Sequence, residues 1–129
     1  MDANVLLDVV TIDRHWSEWS VKQLDRLSVS DVLAINDVVY AEISVGYDAV
    51  EQVDELIAGM KLQILPISRP ALFLAAKVHE RYRKAGGSRP GVLPDFFIGA
   101  QALVAGAPLL TRDVRRYRTY FPQLELIAP

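Results

Sequence analysis

Four acidic residues far apart in the chain, Asp2, Glu42, Asp95 and Asp113, stand where an α/β fold can put carboxylates to chemical use. Pro94 suits the first turn of a helix, where its missing N–H is no loss. Asp95 beside it is favoured by the positive end of the helix dipole. Asp113 follows the apolar run Leu109-Leu110-Thr111, just past the carboxyl end of a strand, where open α/β sheets place their ligands. Glu42 is surrounded by Val39, Tyr40, Ile43 and Val45, a context in which an inward-facing carboxylate needs a strong partner such as a cation.

Carboxylates gathered at one sheet edge repel one another, by about 4 kcal/mol per pair at ~4 Å and an effective dielectric of about 20. Such a cluster needs either raised pKa values or a cation. The chain has no cysteine and only His15 and His79, so thiolate sites and multi-histidine sites are excluded. Oxygen donors alone point to Mg²⁺ or Mn²⁺, which can polarise a phosphoryl oxygen and ready a water for in-line attack.

The charge distribution supports a phosphate-bearing substrate. Residues 1–68 carry twelve acids against four bases, and residues 69–129 carry ten bases against four acids. Arg112, Arg115 and Arg116 flank Asp113, where a phosphate backbone would have to lie. The loop Gly86-Gly87-Ser88-Arg89-Pro90-Gly91 leads into Asp95 and is read as a mobile lip with Arg89 near the substrate path. A basic rim beside an acidic, metal-holding centre favours a nucleic-acid partner.

The elements needed to position these groups follow from periodicity and caps. Helices are expected over residues 4–10, 15–27, 38–45, 48–60, 69–85 (capped by Ser68), from Pro94 to a stop at Gly106, and 114–121. The buried stripe of the fifth is read as Leu72, Ala75, Ala76, His79 and Tyr82. Strands are expected over residues 32–35, 62–67, 109–111 and 124–127. The alternation predicts a single α/β domain over residues 1–129, with a parallel sheet of about four to five strands flanked by helices on both faces. A carboxylate delivered by a sheet normally follows its strand, yet only Met1 precedes Asp2, so the first strand is expected to be missing or truncated. The hydrophobic share of 51% fits one core and leaves room for an oligomer interface.

Asp2-Ala3-Asn4-Val5-Leu6-Leu7-Asp8, Glu42 in Tyr40-Ala41-Glu42-Ile43, Asp95 in Pro94-Asp95-Phe96-Phe97-Ile98-Gly99-Ala100-Gln101-Ala102, and Thr111-Arg112-Asp113 followed by Tyr117 together resemble the PIN-domain ribonucleases, especially VapC-type toxins. The resemblance covers nearly the whole chain, with Ala3 in place of the usual Thr of the first motif. It implies a Mg²⁺- or Mn²⁺-dependent endoribonuclease whose metal-binding and catalytic acids are Asp2, Glu42, Asp95 and Asp113. It also implies supporting roles for Asn4, Asp8 and Thr111, an RNA substrate, a cognate antitoxin protein, and a homodimer.

A non-catalytic PIN-like domain that binds RNA or a partner is the alternative. An aspartyl phosphatase fits less well, because it needs a second acid where Asn4 stands and a lysine in the late strand region. The apolar run at residues 5–10 is interrupted by Asp8 and too short for a membrane span, and a cytoplasmic location is expected.

Overall fold

The computed structural model describes residues 1–129, which divide into two compact units, Met1–Pro66 with Pro129, and Ile67–Ala128. The division falls almost where the acidic part of the sequence gives way to the basic part.

In the first unit, α1 (Ala3–Val10) packs on α2 (Ser17–Ser30) and on α3 (Asp37–Ser44), and α3 packs on α4 (Val50–Gly59). Val5, Leu6, Leu24, Leu27, Val39, Ile43, Val53 and Ile57 are among the buried positions of these helices, mostly at the three- and four-residue spacing of amphipathic helices. Between α2 and α3 runs β1 (Ala34–Asn36), which pairs in parallel with β2 (Gln63–Leu65) in the register Ala34 with Gln63 and Asn36 with Leu65. Asn36 ends β1 and at once caps α3, its side chain accepting from the Val39 N–H at 2.9 Å. Strand and helix are thus joined without a loop.

Met1 donates its amine to the Ala34 carbonyl oxygen at 2.9 Å, so the backbone just before Asp2 is tied to β1.

The second unit begins with α5 (Arg69–Lys84), whose N-cap Ser68 accepts from the Ala71 N–H as the sequence predicts, and α5 packs along α6 (Leu93–Ala105). The buried stripe of α5 is Ala71, Ala75, Val78 and Tyr82, whereas Leu72 and Ala76 are exposed and His79 is half-buried. The expected stripe therefore keeps Ala75 and Tyr82 but is rotated at its other positions. Residues 71–76 form an unbroken apolar run, so spacing alone does not fix which of them face inward. Gly106, at φ 67°, ends α6 in the left-handed conformation that glycine adopts without strain.

β3 (Leu109–Leu110), α7 (Val114–Tyr120) and β4 (Leu126–Ile127) close the unit, with β3 and β4 parallel. The expected single sheet of four to five strands is seen as two parallel pairs, each strand two or three residues long.

Phe96 is fully buried, and its ring meets those of His79, Tyr82, Tyr120 and Phe121, with centroids 5.1–6.4 Å apart. Gly99, one turn later, faces the Phe121 ring so closely that an added Cβ would come within 2.6 Å of it. The absence of a side chain at position 99 thus admits an aromatic ring.

Candidate active site

Three of the four acids sit at helix N-termini: Asp2 is the N-cap of α1, Asp95 lies in the first turn of α6, and Asp113 is the N-cap of α7. At such ends the unpaired N–H groups and the positive end of the helix dipole attract negative charge. Glu42, in the body of α3, has no such support.

Asp2 is buried, at 4% exposed, and makes no capping bond to α1; its Oδ2 accepts from Asn4 Nδ2 at 3.2 Å. Burial lowers the Met1 amine to about 6, with the neighbouring Asp2 charge acting against the fall. The Asp2 charge also reaches Glu42. Burial pushes the Glu42 carboxyl upward, and the like charge of Asp2 pushes it further. One oxygen of that carboxylate, Oε1, is buried without a hydrogen-bond partner. A buried carboxylate oxygen left in this way is costly unless a cation answers it. The first unit therefore sets two of the predicted acids within electrostatic reach of each other, with Asn4 hydrogen-bonded to Asp2.

Asp8 serves the packing of α1 on α2. It is 2% exposed and accepts from Ser20 Oγ at 2.9 Å.

In the second unit, Asp95 precedes the ring-locked Phe96, which fixes the first turn of α6 and so the carboxylate itself. Arg116 Nη1 donates to Asp95 Oδ2. Asp113 accepts at Oδ1 from the Arg116 N–H, and its own N–H donates to Thr111 Oγ1 at 3.0 Å. Thr111, fully buried and donating its N–H to the Ile127 carbonyl, anchors that turn to β4. Asp95, Asp113 and Thr111 thus meet through Arg116 and the β3–α7 turn. The roles of Phe96 as anchor and of Arg116 as ion-pair partner are not visible in the sequence reading. The short Arg-Arg-Tyr-Arg run gives each arginine the same signal.

Arg115 and Arg89 are exposed and Arg112 is half-buried. The loop bearing Arg89 is tied down at one point, where the Arg89 N–H donates to the Tyr82 hydroxyl at 2.8 Å.

The chemistry of the donor set fits a hard divalent cation. All of the predicted ligands are carboxylates, and one of them has a buried oxygen awaiting a partner. Neither unit by itself gathers three histidine, aspartate or glutamate side chains in metal-binding reach.

In the metal-free protein, raising the Glu42 pKa on folding makes the folded chain hold its proton longer than the unfolded chain does. The Glu42 contribution to stability is then fully present below its ordinary value of 4.5 and is lost as pH rises through the raised folded value. Glu42→Gln is therefore expected to melt higher than the unaltered protein at pH 7 in EDTA, the gap closing towards pH 4. Equal melting temperatures at pH 7 would contradict this.

The chain is similar in fold to several solved complexes. A chain of VapBC2 from Rickettsia felis, bound to a DNA fragment from its promoter, superposes with a TM-score of 0.74 at 21% identity, covering 99% of this chain and 96% of that one. VapBC-1 from nontypeable Haemophilus influenzae gives 0.73 at 20% identity, covering 98% and 94%. A toxin-antitoxin complex from Klebsiella pneumoniae gives 0.65 at 20% identity, covering 98% and 92%. No curated protein matches by sequence. The family model of the PIN domain matches residues 1–122, a span that contains all four acids and runs through both units. The spacing of the four acidic motifs, the α/β architecture around them and this match agree, and the chain belongs to the PIN domain family.

Proposed function

We propose that the protein is a Mg²⁺- or Mn²⁺-dependent endoribonuclease and the toxin of a toxin-antitoxin pair. The observation that carries this reading is the buried, unpartnered Oε1 of Glu42 beside the Asp2 charge, in a PIN-domain chain that also supplies Asp95 and Asp113 at helix N-termini. In this proposal Asp2, Glu42, Asp95 and Asp113 are the metal-binding and catalytic acids.

A bound divalent ion would supply Lewis-acid stabilisation of the phosphoryl oxygens and a water more easily deprotonated. The chain's own groups do the rest. Asn4 orients Asp2 through its amide, Thr111 holds the turn that presents Asp113, and Glu42 would offer its buried, unpartnered Oε1 to the ion. Arg89, Arg112, Arg115 and Arg116 supply the cationic surface for the RNA backbone.

The relatives in fold are VapBC and toxin-antitoxin complexes, which supports a cognate antitoxin as partner. A homodimer belongs to the same proposal. No helix is long and apolar enough to cross a membrane, and the proposed location is the cytoplasm.

The reading is tested by incubating the purified chain with structured RNAs in Mg²⁺, Mn²⁺ or EDTA. Cleavage that requires the divalent ion supports it. Binding of RNA without cleavage in either metal would favour the non-catalytic alternative.

A further inference from the structure

Arg116 touches both acids of the second unit. Its guanidinium donates to Asp95 Oδ2, the two side chains being 23% and 17% exposed, and its backbone N–H donates to Asp113 Oδ1. Its neighbours Arg115 and Arg118 are exposed. A charge-assisted bond in such a partly covered place is shorter and stronger than one between neutral groups. It engages a carboxylate oxygen that an oxygen-seeking cation would also take.

Resting on the reading of Asp95 as a cation-holding acid, we propose that Arg116 is its resident counter-ion. Arg116 neutralises Asp95 in the cation-free protein, gives up Oδ2 when a divalent ion enters, and by that competition sets the affinity for the ion. The guanidinium so released becomes available to a substrate phosphate oxygen, a geometry arginine matches well. Arg116 is in this sense a positioning residue. Its effect on ion binding is exerted through Asp95.

The sign of the expected effect separates this role from a merely structural one. Removing the guanidinium leaves a partly covered carboxylate without its cation, and a divalent ion then fills the vacancy more readily. Loss of a structural brace would instead weaken the site. Mn²⁺ binding to the full chain, followed by titration calorimetry or by the spin-resonance signal of free Mn²⁺, reads the difference without recourse to activity. Arg116→Met is expected to bind Mn²⁺ roughly ten- to a hundredfold more tightly than the unaltered protein, the size typical of changes to groups that touch metal-binding side chains. Arg116→Lys, which keeps the charge, is expected to stay within a few-fold (~3) of it. Adding Asp95→Asn to Arg116→Met should abolish the gain. If Arg116→Met does not fold, Arg116→Gln, which keeps an N–H donor without the charge, carries the same expectation. Equal or weaker binding by the uncharged variant, with clear binding by the unaltered protein, overturns the counter-ion role and leaves the proposed nuclease standing. Absence of Mn²⁺ binding in every form overturns both.

Discussion

Asp95→Asn and Asp113→Asn are each expected to lower RNA cleavage by at least about a hundredfold with the fold intact. Groups one step removed from a metal already change affinity or activity by about 10–100-fold, and these two carboxylates are proposed to touch it. The amide is a demanding control, because it preserves shape. Asparagine caps helices as well as aspartate does, so Asp113→Asn keeps an oxygen for the Arg116 N–H at the start of α7. Asp95→Asn keeps an acceptor for Arg116 and leaves Phe96 in its ring cluster. Circular dichroism and melting near the unaltered values, with cleavage lost, would place both effects in the chemistry. Cleavage at the original rate in either variant would remove that acid from the mechanism.

Phe96→Ala acts on the same helix by a different route and is expected to cost about 3–5 kcal/mol of stability, the usual range for a buried aromatic truncated to alanine. The ring is fully buried and contacts four other aromatic rings drawn from α5, from α7 and from the residue after it. Little can collapse into the space it leaves, since Gly99 next to it has no side chain and Phe121 is already packed against that glycine. The first turn of α6 loses its anchor, and Asp95 loses its fixed position. Urea unfolding followed by fluorescence reads the loss. A cost below about 1 kcal/mol would show that the cluster is loosely packed and that Asp95 is held by something else.

Much of this was legible in the chain because it depends on local rules. Pro94 and Asp95 open α6 and Gly106 ends it in the left-handed conformation, as the sequence predicts. Ser68 caps α5, and the run at residues 109–111 becomes β3 followed by a buried Thr111. Glu42 stood out because apolar neighbours make a carboxylate expensive, and the structure leaves one of its oxygens unpartnered. What was not legible depends on contacts between residues distant in sequence. The phase of the α5 stripe is decided by which side α6 packs against. The Asp95–Arg116 pair spans 21 residues, and Phe96 finds its ring partners up to 25 residues away, in Phe121. Strand lengths were overread for a related reason: an apolar run continues past the two or three residues that pair.

Direct titration with Mn²⁺ of the unaltered chain, Glu42→Gln and Asp95→Asn, under conditions where all three are folded, bears most closely on the idea that Glu42 and Asp95 are metal-binding acids. The account predicts saturable binding by the unaltered chain that weakens by about tenfold or more in each variant. Binding that is undiminished in both variants would contradict it.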